Sequence, residues 1–467
     1  MSQPVSKLVY PGSRIAPARP RLEALVKAAC APQGFWWMSG IEGSTIPHIE
    51  ADQFEWIQHY RFWNEDLTMM RQELTANWVR LVFPWYKINP APGQYDWGWI
   101  DRVVNRAAEL GFQIVLDPIH FGTPLWLTAG FGEPDFPQYA AEYFEQVARR
   151  YGAIEAVTAF VPHNEPAISA MFGGLLGEWP PYHKSRAEHN KLLTNIAKGV
   201  VLAVQAVSAE VAEPIFLHIE ALDQAATKQP EASSELLEEI ALINERRFLG
   251  YDLISGRVAS THRLTEELLA SGVSEADLSW LQHNGRELDI LGLDFYSYSE
   301  AWLKQNVQGQ FEQERDGHGP TTVRLYAEGL DSSRVNLAAS RPAGLFQLIE
   351  AYYARYQRPI VLTETDYLGS VDERAAWLGY TIEEVARLRQ SGVPVLGYTW
   401  WGATDHLNWG MALKERNTIH PVGLWSLVPE ADGTLKRIRT SLVDRFRGYT
   451  ETATTSIGAV ELSSSLP

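Results

Sequence analysis

Two stretches decide the fold: Phe160-Val161-Pro162-His163-Asn164-Glu165-Pro166 and Ile360-Val361-Leu362-Thr363-Glu364-Thr365-Asp366. Each is a short apolar run that stops abruptly at a glutamate, and each follows a helix-like segment, near 139–151 and 345–356. The same unit recurs along the chain. Apolar runs at 34–39, 78–83, 112–117, 157–161, 214–219, 288–293, 359–363 and 393–399 alternate with longer helical patterns, near 65–74, 99–110, 187–208 and 372–390 besides the two just given. A last amphipathic helix is expected over 435–446. Apolar strands separated by helices predict a parallel sheet covered by helices. Eight of them is the number that closes a (β/α)8 TIM barrel. An open doubly wound sheet would more often carry a Gly-rich phosphate turn after its first strand, but Ser39-Gly40-Ile41-Glu42-Gly43-Ser44 lacks the GxGxxG spacing. The long stretches 222–286 and 301–336 exceed ordinary connections and read as rim insertions. The expected organisation is a single α/β barrel over 31–449, with an N-terminal extension over 1–30 and a flexible C-terminal tail over 450–467.

Composition narrows the class. The chain has 467 residues, 45% hydrophobic and 21% charged, as a globular protein with a large core requires. The net charge of −17 argues against nucleic acid and against an anionic membrane surface, both of which need clustered positive charge. The single cysteine, Cys30, cannot form an intramolecular disulfide. The N-terminus lacks the apolar core of a signal peptide, and no run approaches ~18 consecutive apolar residues, so a cytoplasmic location is expected. Histidine and cysteine show no metal-ligand spacing, so neither metal nor cofactor is expected. The seventeen tryptophans and nineteen tyrosines suit either a large aromatic core or a cleft whose rings stack on sugars.

In a barrel of this kind, chemistry gathers at the C-terminal ends of the strands. Read in order, those ends supply Arg80, His120, Asn164 and Glu165, His218 and Glu220, Tyr296, Glu364, and Trp400 with Trp401. A carboxylate at the mouth of a buried strand costs desolvation energy unless it is paired or used. Two of them on different strands form the pair that glycoside hydrolysis requires, one to protonate the leaving oxygen and one to attack or to activate water.

Asn164-Glu165-Pro166, Thr363-Glu364 and Trp401-Gly402-Ala403-Thr404-Asp405 resemble the signatures of glycoside hydrolase family 1, the β-glucosidase family. These are its N-E-P acid/base motif, its T-E-N-G nucleophile motif and its W-S-L-L-D-N-F-E-W sugar-binding motif. The likeness extends to His59-Tyr60-Arg61, Trp78-Val79-Arg80-Leu81, Leu291-Gly292-Leu293-Asp294-Phe295-Tyr296, Gly423-Leu424 and Leu435-Lys436-Arg437. It implies a retaining mechanism acting on a small carbohydrate or glycoside. Glu165 would be the acid/base, Glu364 the nucleophile, and Arg80 and Tyr296 the partners that hold charge on Glu364. Asn164 would bond the sugar 2-OH, His120 the 3-OH, and Trp401 would pack on the ring. Asp294, Asn408 and Trp409 fall on the remaining substrate-binding positions.

The departures from the family pattern lie on the far side of the sugar. The family's Gln, which binds the 3-OH and 4-OH, falls on Gly40; its F-E-W glutamate, which binds the 4-OH and 6-OH, falls on Asn408. His163 precedes Asn164, Thr365-Asp366 follow the nucleophile, and Asp294 replaces the usual Asn. These changes predict retained bond-breaking chemistry with altered sugar specificity, with Asp405 and His406 as substitutes for the lost contacts. A phosphosugar would need cations near Asn408, where Lys414 and Arg416 are the candidates. Transglycosylation on the same scaffold, or a catalytically inactive carbohydrate-binding protein, are the alternative functions, and a homo-oligomer is compatible with either.

Overall fold

In the computed structural model, which describes residues 19–227, 229, 231–306, 311–314, 344–409, 413–414 and 418–460, eight parallel strands close into a barrel. They are β1 (Trp36–Gly40), β2 (Trp78–Val82), β3 (Gln113–Asp117), β4 (Val157–Phe160), β5 (Ile215–Ala221), β6 (Ile290–Asp294), β7 (Ile360–Glu364) and β8 (Val395–Trp400). Each pairs with the next in chain order, and β8 returns to β1 with Trp36 opposite Gly397. All eight expected strands are present.

The two-residue period of the strands separates two cores. Trp36, Met38, Trp78, Val115, Ala159, Ile215, Leu217, Ile219, Ile290 and Val361 fill the barrel. The alternate residues Trp37, Val79, Leu81, Ile114, Leu116, Phe160, Phe216, Leu291 and Leu362 face the helical shell. Carried upward, the inward parity aims Gly40, Arg80, Asp117 and Asp294 into the C-terminal mouth. The same parity turns His218 and Glu220 outward with Phe216, which corrects their expected place in the mouth. His218 lies over Tyr251, ring centroids 4.7 Å apart, and the Glu220 carboxylate accepts from the Ala167 N–H at 3.3 Å.

The shell follows the helical period. The helix Gly98–Glu109 buries Ile100, Val103, Val104 and Ala107, spaced three and four apart. The helix Val371–Gln390 opens on a capping box, in which Ser370 Oγ accepts from Glu373 N and Glu373 Oε2 accepts from Ser370 N at 2.7 Å. The helix Arg186–Glu210 is long and apolar enough to cross a bilayer by composition, but its apolar residues are largely buried within the protein.

Three segments differ from expectation. Residues 435–446 are not one helix. Leu435–Arg439 is a strand of a hairpin with Trp425–Pro429, and the helix begins at Ser441, capped by Thr440. The Asp432-Gly433 turn, with Gly433 at φ +84°, is the signal that separates them. The expected N-terminal extension contains the helix Pro20–Cys30, whose Val26, Ala29 and Cys30 join the core inside the barrel. The expected tail is helical at Ala453–Ser456 and buries Ile457 and Val460. Of the two rim insertions, 222–286 folds into helices with a short strand, Gln224–Ala226, that pairs with Glu300–Gln305. The second begins as a hairpin of Glu300–Gln305 with Phe311–Glu314, and 315–336 lies outside the described residues.

Arg389 ties the two chain ends to the barrel floor. It is buried and donates to the carbonyls of Ala29 (3.3 Å), Cys30 (2.7 Å), Val395 and Gly458 (2.9 Å). Arg389→Ala strands buried carbonyls that no water can reach cheaply. It is expected to cost about 2–4 kcal/mol, read as a lower urea midpoint with an unchanged m-value.

Candidate active site

The mouth is built around one guanidinium. Arg80, at the inward parity of β2 and fully buried, donates Nε to Asp117 Oδ2 at 2.9 Å, Nη1 to Glu364 Oε1 at 2.6 Å and Nη2 to Asn164 Oδ1 at 2.7 Å. Its charge also lies over the Trp401 ring, 4.6 Å from the centroid. Asp117 accepts in addition from His120 Nδ1 at 2.8 Å, which fixes the imidazole and leaves its other nitrogen for a ligand.

Glu364 owes its direction to a register shift. Between Leu362 and Glu364 the pairing with β6 slips, so that Glu364 stands opposite Asp294. The bulge places Thr363 and Glu364 in the mouth together. Glu364 Oε2 accepts from the Tyr296 hydroxyl at 2.5 Å, and Thr363 Oγ1 donates to Asp294 Oδ1 at 2.6 Å. Glu165 is aimed by a different device. It takes a left-handed conformation (φ 44°) at the start of the helix Pro166–Ala170. The turn is pinned by Asn164 N to the Ile119 carbonyl (2.9 Å) and Glu165 N to the Ile219 carbonyl (3.1 Å). A left-handed non-glycine residue costs about 1 kcal/mol or more, and it persists because these neighbours over-determine it.

One carboxylate oxygen from each of Glu165, Asp294 and Glu364 lies within 4.8 Å of the others, all three residues buried. Their electrostatic settings diverge. Burial pushes the Glu165 carboxyl well above the usual carboxylate range, and Asp294, Glu364 and Glu220 push it further. Burial also raises Glu364, while Arg80, His120 and the Tyr296 hydroxyl work against that rise. Glu165 therefore holds a proton more firmly than Glu364, which alone of the two has a cation in contact.

The far side is arranged differently from the sequence expectation. Gly40 is glycine because Trp401 occupies the space above it: a Cβ there would meet the indole Cζ3 at 2.3 Å. Trp401, joined to Gly402 through a cis peptide, donates its Nε1–H to Glu42 Oε2 at 2.8 Å, and Glu42 Oε1 accepts from Ser44 N at 2.8 Å. Glu42 is buried among Trp401, His120 and His406 and is the site residue that the strand-end reading missed. Its signal was present, since it lies two residues beyond β1. Asp117 was missed in the same way, although it ends β3.

Asn408 is engaged within the protein: its Oδ1 accepts from Thr418 N at 3.1 Å. Asp405 is likewise engaged, by the N–H groups of Gly423 (2.9 Å) and Leu427 (3.0 Å), and cannot take over a lost contact. His406 remains beside Glu42, pushed down to about 4 by burial and therefore neutral. Trp409 joins Phe121, Phe172 and Trp179 in an aromatic cluster, with centroids 5.2–6.4 Å from it. Lys414 is paired with Glu178, and Arg416 lies outside the described residues.

The model of the family described as glycosyl hydrolase family 1 matches residues 48–449. Among curated relatives, a 6-phospho-β-glucosidase of Clostridium longisporum is 22% identical over 437 residues, covering 87% of each chain. β-Glucosidase A of Thermotoga maritima is 23% identical over 387 residues, covering 77% of this chain and 80% of that one. A match to the β-galactosidase BgaA of a Thermus species is local: 29% over 127 residues, 22% of this chain and 20% of the relative. Among solved structures, the Thermotoga maritima β-glucosidase in complex with deoxynojirimycin superposes with a TM-score of 0.72 at 18% identity, covering 90% of this chain and 98% of that one. The barrel is thus shared at the level of fold.

Gly40→Ala is the direct test of the far-side packing. The added methyl must displace either the Trp401 ring or the Arg80 carbonyl, 3.0 Å away. A loss of about 1–3 kcal/mol in urea unfolding is expected, with a change in the tryptophan emission as Trp401 moves.

Proposed function

From the premise that the chain belongs to glycosyl hydrolase family 1, we propose that it is a retaining β-glycosidase with Glu165 as acid/base and Glu364 as nucleophile. The observation that carries this reading is the close approach of the two buried carboxylates, with oxygens within 4.8 Å. Retaining pairs stand about 5–5.5 Å apart, whereas inverting pairs need about 6.5–9.5 Å to admit a water. Arg80 and the Tyr296 hydroxyl hold Glu364 ionised and oriented for attack at the anomeric carbon. Glu165 protonates the departing oxygen, then as a carboxylate takes a proton from the water that releases the sugar. Asn164 Oδ1 is held by Arg80, which leaves its amide N–H groups for the sugar 2-OH; its Nδ2 is buried with no partner within the protein.

The sugar specificity is proposed to differ from that of a plain glucosidase. Gly40 offers no side chain, Asn408 is committed to Thr418, and the Trp401 indole N–H is committed to Glu42. The far hydroxyls of the sugar therefore meet Glu42 and His406 in place of the family's Gln and Glu. Charged or bidentate hydroxyl contacts contribute about 2–4 kcal/mol each to discrimination.

Incubation with 2-deoxy-2-fluoro aryl β-glycosides, followed by peptide mapping, is expected to place the label on Glu364, and the sugar that labels fastest identifies the glycone. A label on another residue, or an inverted anomer as product, overturns the assignment. Glu364→Ala should lose at least about 10³-fold in kcat. Glu165→Ala should lose as much on poor leaving groups and far less on dinitrophenyl glycosides, which need no acid. The pH profile of kcat/KM should be bell-shaped. Activity is lost below the acid limb, where Glu364 gains a proton, and above the basic limb, where Glu165 loses one. Both limbs lie above the ordinary carboxylate range, because both groups are raised.

A further inference from the structure

Asp294 has no role in the mechanism above. It ends β6, is fully buried, and sits within 4.8 Å of both Glu165 and Glu364. Thr363 Oγ1 donates to its Oδ1 at 2.6 Å. Among the described residues, no N–H or hydroxyl donor reaches its Oδ2. The Glu165 carboxyl is its neighbour, one oxygen of each group lying within 4.8 Å of the other and both residues buried. Two ionised carboxylates that share a buried site repel strongly, and a proton bound by the pair relieves that repulsion.

We propose that Asp294 is the positioning residue for the acid proton: Asp294 Oδ2 and the Glu165 carboxyl hold one proton between them, and this pair, not Glu165 alone, sets the pH range over which the acid is available. The inference rests on the retaining β-glycosidase reading and deepens it. The proton balance is simple. When Glu165 gives its proton to the leaving oxygen, the pair is left with no shared proton and two adjacent charges. That repulsion favours recovery of a proton from the attacking water in the second step, which restores the pair.

The surroundings allow no other group to play this part. Glu220 faces Glu165 from β5, but its carboxylate is directed to the Ala167 N–H. Glu364 faces it from β7 and is satisfied by Arg80 and Tyr296. The Tyr298 phenol faces both Glu165 and Asp366 from the loop after β6. His163, next but one in the chain, is buried and pushed down to about 3, so it is neutral. Arg80 is the cation that acts on Asp294, and its N–H donors go to Asp117, Glu364 and Asn164.

The test is Asp294→Asn. An amide at this position keeps the shape and the Thr363 contact but removes the negative charge. On a substrate with a poor leaving group, the basic limb of kcat/KM is expected to fall by about one pH unit or more. On a dinitrophenyl glycoside, which needs no acid, the variant should show no such displacement. An unmoved basic limb, or the same loss of rate on both substrates at every pH, assigns Asp294 a merely structural role and overturns the proposal. Infrared difference spectra provide a readout that needs no turnover. At neutral pH the protonated-carboxyl band should diminish in both Asp294→Asn and Glu165→Gln relative to the wild type; loss in Glu165→Gln alone overturns the shared proton. If instead the wild type turns over no β-glycoside while the infrared bands behave as expected, the function reading fails and the pair stands.

Discussion

The buried guanidinium of Arg80 is the interaction on which the site depends. It binds Asp117, Glu364 and Asn164 at once, and it lies beneath the face of Trp401. Asp117, Glu165, Asp294 and Glu364 are four carboxyls buried around it. At a separation of ~5 Å and an effective dielectric of ~20, two like charges repel by about 3 kcal/mol, roughly two pKa units. One arginine cannot neutralise four such groups. Asp117 has the further help of His120 and is held below the usual carboxylate range. Glu364 takes the remaining N–H of the fork. The other two, Glu165 and Asp294, have no cation in contact among the described residues, and burial with their mutual repulsion and that of Glu364 raises both well above the usual carboxylate range. The acid of the proposed reaction is thus a consequence of where the positive charge is directed.

The barrel delivers this arrangement with three local devices. Strand parity carries Arg80, Asp117 and Asp294 to the inside of the mouth from ordinary extended strands. A register shift at the end of β7 brings Glu364 in beside Thr363, against the alternation that a regular strand would impose. A left-handed residue turns Glu165 inward immediately before a proline that starts a helix. The two groups proposed to react are the two that need irregular backbone, and of those around them Arg80, Asp117 and Asp294 come from regular strands. Precision at a reacting centre requires such rigid support, because a displacement of ~1 Å can cost about a hundredfold in rate.

Much of this was legible in the chain. Eight apolar runs with helices between them specify the barrel, and the strand ends name Arg80, Glu165, Tyr296 and Glu364 before any coordinates. The failures are physical and local. Leu435, Ile438 and Leu442 are spaced as on a helix, yet Asp432-Gly433 forms a turn and Leu435–Arg439 pairs as a strand. His218 and Glu220 were expected in the mouth because they end a strand, but position on a strand does not fix the face; the parity of Ile215, Leu217 and Ile219 does. Asn408 is expected among the sugar contacts from its place in a motif, and nothing in the sequence shows that its Oδ1 also accepts a backbone N–H from ten residues onward. Glu42, in the Ile41-Glu42-Gly43 stretch that aligns with the family's Glu-Gly, and Asp117, at the end of a buried run, are acids placed much as Glu165 and Glu364 are, and position at a strand end alone does not single them out.

The groups of the proposed chemistry and those of the proposed recognition are mechanically separate in this mouth. The first lie on or just beyond β2, β4, β6 and β7 and are gathered around Arg80 and the cluster of carboxyls. The far side is held instead by packing: Gly40 lets the Trp401 ring descend, and Glu42 receives its indole N–H. A side chain at position 40 and the present Trp401 position exclude each other, so Gly40 and the Glu42–Trp401 hydrogen bond are linked. Glu42 in turn is fixed by Ser44 N, which keeps a buried carboxylate oriented toward His120 and His406. A buried carboxylate of this kind accepts hydrogen bonds and donates none. It therefore selects a ligand that presents hydroxyl or amine donors to that wall, and it disfavours one that presents an anion there. On the proposed reading, the far side can diverge, and the preferred sugar with it, while Arg80 and its carboxyls stay as they are.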